Sequence, residues 1–117
     1  MIKHRFVRKK VSELVNGYRG LRVSYEHVRD EHRTVEQREK FEKLKDDIKT
    51  KGIVNPLIIF KNHVLIGMRR KEIAESLGIE EIDCIEVLED IYSHPNPNAV
   101  YEIRKTYQKQ EGFEVWV

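Results

Sequence analysis

Apolar residues in this chain recur with two spacings, and the alternation between them predicts the elements. From Thr34 to Gly52, Phe41, Leu44 and Ile48 fall at i, i+3 and i+7 in an otherwise charged run, which marks one face of a helix. Thr34 and Gln37 have capping-box separation, and Gly52 stands where a glycine ends a helix. The runs NPLIIF and HVLIG are short and predict two strands joined by a tight hairpin with Asn62 in its turn. MRRKEIAESLG predicts a second helix, with Ile73, Ala74 and Leu77 on its inner face and Gly78 as its stop. In EIDCIEVLED, Ile82, Cys84 and the Ile85/Val87 region alternate imperfectly, which still reads as a strand. After the proline-punctuated loop SHPNPN, Asn98 is placed to cap a last helix carrying Val100, Ile103 and Tyr107, and GFEVWV closes as a short strand. Toward the N-terminus, LRVSY (Leu21 to Tyr25) alternates like a half-buried strand. The opening twenty residues are ambiguous: VSELV suits a helical turn, and Gly17 and Gly20 punctuate the chain before LRVSY.

This order predicts an α/β (α+β) fold, a single small mixed sheet with packed helices, in one domain over residues 1–117. A chain of 117 residues, 39% of them hydrophobic, supports one modest core. The formal net charge of +2 is small, but its distribution is uneven. Residues 1–20 hold six Lys/Arg and one Glu, whereas residues 80–90 hold six acids and no Lys or Arg. One surface is thus expected to lean on phosphates and another to repel them. Cys84 is the single cysteine, which excludes an internal disulfide and agrees with a reducing compartment. No apolar run approaches the roughly 18 to 20 residues of a membrane span, and no signal-peptide pattern follows the basic N-terminus. A cytoplasmic location without a membrane partner is expected.

The chemistry concentrates in IGMRRKE, Ile66 to Glu72. A strand ends at Gly67 and a helix opens with Arg69, Arg70 and Lys71, where the helix dipole disfavours positive charge by about 0.3 to 1 kcal/mol per residue. A helix N-terminus offers unpaired N–H groups to an anion, and Gly67 would admit it close to the backbone. Either the three cations bind phosphate or they are solvated side chains whose small cost is tolerated. On the first reading, replacing Arg69 and Arg70 with Ala abolishes anion binding and leaves the fold intact or slightly more stable.

The order of these pieces, with GIVNPLIIF, a hairpin, GMRR and a helix ending in LG, resembles the N-terminal domain of the ParB chromosome-partitioning family, which shares its fold with sulfiredoxins. The resemblance covers about residues 21–90, with 91–117 as a C-terminal helix and strand extension. It implies a phosphate-binding fold in which Gly52, Ile53, Asn55 and Pro56 line a nucleotide site and Gly67, Met68, Arg69 and Arg70 hold the phosphates. A nucleoside triphosphate with Mg is the implied cofactor. Lys40 matches the assisting lysine of sulfiredoxins and Lys43 lies one turn on, although both also suit an exposed helix face paired with Glu36 or Glu39.

The departures narrow the activity. Met68 stands where partitioning proteins carry a Glu and sulfiredoxins the catalytic Cys, and a thioether is neither base nor nucleophile. Sulfinic-acid reduction is therefore not expected. A ParB-like nuclease, NTPase or phosphoryl-transfer enzyme would need another acid, such as Glu72 or Asp47, so no catalytic residue is assigned. Residues 91–117 are too few for the family's sequence-reading helix-turn-helix, which leaves nucleotide or non-sequence-specific nucleic acid as the partner, assisted by Arg5, Arg8, Lys9 and Lys10. The resemblance further implies a free-standing domain of the kind carried by phages, plasmids and other mobile elements. Glu26, His27, Asp30 and His32 match no standard metal-ligand spacing and suit an exposed turn, although a metal-assisted nuclease would recruit from them. Cys84 reads as an inert core residue. Tyr101, Tyr107, Phe113 and Trp116 suit the core, base stacking, or a contact with another subunit in a homodimer. A non-catalytic protein-interaction module that keeps Arg69 and Arg70 for an acidic partner is the remaining alternative.

Overall fold

The first helix shows how closely local sequence dictates local structure. In a computed structural model that describes residues 1–17 and 34–109, Thr34 Oγ1 accepts from the Gln37 N–H at 3.1 Å and Gln37 Oε1 accepts from the Thr34 N–H at 2.9 Å. This capping box satisfies two N–H groups that a helix start otherwise leaves open, and α1 (Val35–Lys51) runs from it. Gly52, at φ 79°, closes the helix with its N–H donating to Ile48 O at 2.7 Å. Leu44 and Ile48 are buried against Ile73, with Phe41 half-buried beside them.

Among the described residues, five strands form one mixed sheet in the order β1-β5-β3-β4-β2. They are β1 (His4–Lys10), β2 (Val15–Asn16), β3 (Leu57–Phe60), β4 (His63–Ile66) and β5 (Glu81–Val87). A short 3₁₀ turn, Val11–Glu13, links β1 to β2 and agrees with the helical turn expected in VSELV. The β3–β4 hairpin turns through Lys61 (φ 48°) and Asn62 (φ 64°), the paired left-handed residues whose twist matches the strands they join. β3 and β5 run parallel, joined by a crossover that contains α2 (Met68–Ser76). The third helix, α3, is Ala99–Tyr107.

The sheet is covered on both faces, so its central strands are apolar on both sides. Leu57, Ile59, Val64, Ile82 and Cys84 pack with Met68 and Ala74 of α2 and with Val11 and Leu14. Ile58, Phe60, Ile85 and Val87 pack on the opposite side with Ala99, Val100 and Ile103 of α3. This explains the imperfect alternation of β5: Ile82 and Cys84 face one layer, Ile85 and Val87 the other.

The opening twenty residues, ambiguous in sequence, contain a seven-residue edge strand, β1, and three of its cations pair with carboxylates. Arg5 and Lys9 reach Glu86 at 2.7 and 3.6 Å, and Arg8 bonds Glu81 at 3.0 Å and Asp83 at 2.9 Å. The basic and acidic segments are cross-strand partners on β1 and β5. Asn98 does occupy the N-cap of α3, but its side chain makes no cap bond; Asn96 Oδ1 accepts from the Asn98 N–H instead. The strand expected at Leu21 to Tyr25 and the closing strand GFEVWV lie outside the described residues.

Candidate functional site

The corner where β4 runs into α2 is built around Gly67. Strand geometry holds to Ile66 and helix geometry begins at Met68, which leaves one residue to turn the chain, at φ 105° and ψ 24°. L-residues rarely adopt that φ, and space forbids a side chain as well. A Cβ at position 67 would lie 2.4 Å from Leu57 Cδ2 and 2.9 Å from Arg70 Nη2. Gly67 offers no side chain to cap α2, so the first turn presents its backbone N–H groups at the positive end of the helix dipole.

The three cations of this turn have different fates. Arg70 points inward and is 0% exposed, with Nη1 donating to Asn55 O at 2.7 Å and, more weakly, to Pro56 O at 3.4 Å. Lys71 is buried and pairs with Glu75 one turn along the same helix. Arg69 alone of the three is half-buried, at the surface of the corner. The expectation that Arg69 and Arg70 can both be truncated without cost is therefore overturned for Arg70: its removal would empty a packed position and leave a buried carbonyl without its donor.

Asn55, expected to line a nucleotide site, is also a structural junction that the sequence did not reveal. It is 0% exposed; its backbone carbonyl takes the Arg70 guanidinium, while its side chain reads the backbone of Lys109. Nδ2 donates to Lys109 O at 2.8 Å and Oδ1 accepts from the Lys109 N–H at 2.6 Å. The chain after α3 is thus tied to the entry of β3, and β3 is tied to the corner. A polar residue at the mouth of a wholly apolar strand was the available signal, since such a residue is buried only when its groups are paired.

The structure gathers Gly67, Met68, Arg70, Asn55 and Pro56 around this corner, with Ile53 packed beneath among the residues that support α2. Met68 is buried beside Leu57 and Ala74, the packing role open to a thioether. Gly52 ends α1 and is exposed. Lys40 and Lys43 lie on the exposed face of α1, where Lys40 sits 3.6 Å from Glu36. Of the acids considered as replacements for the family Glu, Asp47 pairs with Lys51 at 3.1 Å, and Glu72 is half-buried on α2. No group of three or more His, Cys, Asp or Glu able to hold a metal occurs among the described residues, and Glu26, His27, Asp30 and His32 lie outside them.

The remaining candidates belong to the scaffold. Burial pushes the Cys84 thiol up to about 12, an inert core position. The hydrogen bonds that the Arg8 guanidinium donates to Glu81 and Asp83 raise its pKa. Tyr107 meets His4 and Phe6 edge-on, with ring centroids 5.4 and 5.1 Å away. His4 Nδ1 lies 2.7 Å from the Ile2 carbonyl, which only accepts, so Nδ1 carries the proton. In neutral His4, Nε2 then accepts from the Tyr107 hydroxyl at 3.0 Å. Tyr101 is exposed on α3, and Phe113 and Trp116 lie outside the described residues.

Residues 22–92, more than half of the chain, match the family model of the ParB N-terminal domain, and the chain belongs to that family. It is similar to two structures of a pNOB8-like ParB N-domain, one of them a C2221 crystal form, with TM-scores of 0.63 and 0.58 at 17% and 16% identity. It is also similar, with a TM-score of 0.56 at 18% identity, to the C-terminally truncated chromosome-partitioning protein ParB from Caulobacter crescentus complexed with CTP-gamma-S. The matches cover 91%, 91% and 92% of this chain but 38%, 35% and 55% of those chains. At these identities the likeness is one of fold. None of the curated proteins matches the chain. No helix among the described residues is long and apolar enough to cross a membrane.

Proposed function

We propose that this chain binds a nucleoside triphosphate at the corner between β4 and α2, with the phosphates over the first turn of α2. The observation that carries the reading is the glycine-entered N-terminus of α2, in a ParB N-terminal domain whose relative from Caulobacter crescentus is complexed with a CTP analogue. Backbone N–H groups of the turn would bond the phosphates, and Arg69 is the cation assigned to pair with them. Gly52, Ile53, Asn55 and Pro56 would border the rest of the nucleotide, with Lys40 and Lys43, exposed on α1, as assisting cations. Mg would accompany the triphosphate and neutralise part of its charge. Nucleotide is favoured over DNA backbone because the relative from Caulobacter crescentus is complexed with a CTP analogue, while the β1 cations Arg5, Arg8 and Lys9 lie in ion pairs with carboxylates of β5. No hydrolytic step is assigned: position 68 is a buried thioether and Asp47 is engaged with Lys51.

Isothermal titration with each ribonucleoside triphosphate, with and without magnesium, followed by duplex DNA at low and high salt, tests the reading. Saturable triphosphate binding, weakened in Arg69→Ala, supports it. Binding to DNA alone, with a steep salt dependence, would replace it with backbone-phosphate recognition. Silence toward both would move the search to protein partners.

A further inference from the structure

Resting on the nucleotide reading above, we infer that Arg70 is a positioning residue: it acts through the carbonyls of Asn55 and Pro56 to fix the corner, and does not itself touch phosphate. Three observations converge on this. The guanidinium is fully buried, so it presents no surface to a ligand docking over α2. Its Nη1 is committed to Asn55 O at 2.7 Å and lies 3.4 Å from Pro56 O. Its Nη2 and Cζ would lie 2.9 and 3.3 Å from a Cβ at Gly67, so the guanidinium lies directly against the residue that turns the corner. One planar group thus spans from the entry of β3 to the start of α2. An arginine suits this task because one planar Nη1 group reaches two neighbouring carbonyls and its delocalised charge is weakly hydrated. The cost of a cation near the helix N-terminus is offset by carbonyl dipoles in place of a ligand anion. Adjacent arginines therefore divide the work: half-buried Arg69 is the one assigned to the anion, and buried Arg70 holds the geometry the anion meets.

The test compares wild type, Arg69→Met, Arg70→Met and Arg70→Lys by CTP titration at low and high salt, with native-state hydrogen exchange in the absence of nucleotide. A positioning role predicts that Arg70→Met weakens CTP binding by roughly tenfold, the effect of losing one charge-assisted bond. The ratio of variant to wild-type Kd is then the same at both salt concentrations. Arg70→Lys, which keeps one donor for Asn55 O, recovers part of the loss and serves in its place should Arg70→Met fail to fold. Arg69→Met gives a ratio that shrinks as salt rises, because screening weakens a direct ion pair. In exchange, Lys71 N–H, bonded to Gly67 O at 3.0 Å, speeds up in the Arg70 variants more than the β3–β5 amides do. A salt-dependent Arg70 ratio would make it a direct phosphate ligand and overturn the inference. An unchanged Kd with only a lowered Tm would reduce it to a structural residue and also overturn it. If wild type binds no CTP while Lys71 exchange still responds to Arg70, the nucleotide reading fails and the positioning of the corner stands. If CTP binds and Lys71 exchange is unmoved, the reverse holds.

Discussion

Replacing Gly67 with alanine probes the corner through one methyl group. The new Cβ would lie 2.4 Å from Leu57 Cδ2 and 2.9 Å from Arg70 Nη2. Both neighbours are 0% exposed and therefore hemmed in, so neither swings aside cheaply. Two costs add: the left-handed backbone of a non-glycine residue, about 1 to 3 kcal/mol, and overpacking, about 1 to 3 kcal/mol more. Their sum, about 2 to 6 kcal/mol, is a large part of the roughly 5 to 15 kcal/mol that stabilises a typical domain. Gly78→Ala is the control, since Gly78 has φ +70° but a Cβ there would meet no described atom within 4 Å. It carries only the backbone cost, about 1 to 3 kcal/mol. Urea denaturation followed by circular dichroism separates the two, because a difference of about 2 kcal/mol moves the midpoint by roughly 1 M at the slope of a small domain. Equal midpoints for the two variants at equal slope would refute the close approach of Leu57 and Arg70 beneath the turn.

Asn55→Ala removes both bonds to Lys109 and is expected to destabilise the fold by about 1 to 3 kcal/mol. The Lys109 N–H should exchange faster while the β3–β5 amides keep their relative protection, and unchanged Lys109 exchange would mean the tie carries no weight. Cys84 gives a pH signature: below its ordinary value of 9.0, folded and unfolded chains both keep the proton, and between 9.0 and about 12 only the unfolded chain loses it. Stability should therefore fall with rising pH across that window by up to about 1.4 kcal/mol per unit beyond any fall in Cys84→Ala. Parallel stability-versus-pH curves for the two proteins would show that the thiol is not held protonated by the fold.

Much of the scaffold was legible because its determinants are local. Thr34, Gln37 and Gly52 define α1 through bonds to their own neighbours, and Asn62 marks a hairpin whose length leaves few turn geometries. β1 was not legible, since an edge strand with charges on successive residues has no apolar alternation. Its signal lay in the acidic segment of β5, most of the chain away, and opposite charge runs do not announce that they pair. At the candidate site, Gly67 and its cations marked the place, but not the direction in which each side chain turns. Arg69 and Arg70 are equivalent in sequence, and the carbonyls of Asn55 and Pro56, brought near by tertiary packing, set Arg70 apart.

The pairing of β1 with β5 sets an order for events during synthesis. A ribosome delivers His4–Lys10 well before Glu81–Val87, so the nascent strand is without its ladder while the chain between the two segments is made. Long-range pairing of this kind closes late, after the hairpin and crossover that need shorter loops. Through that interval Arg5, Arg8, Lys9 and Lys10 repel neighbouring copies of the same segment, which discourages edge-to-edge association between growing chains. When β5 emerges, its Glu81, Asp83 and Glu86 cancel that repulsion and admit the strand to the sheet. The same charges thus guard the segment while it waits and select its partner when it docks.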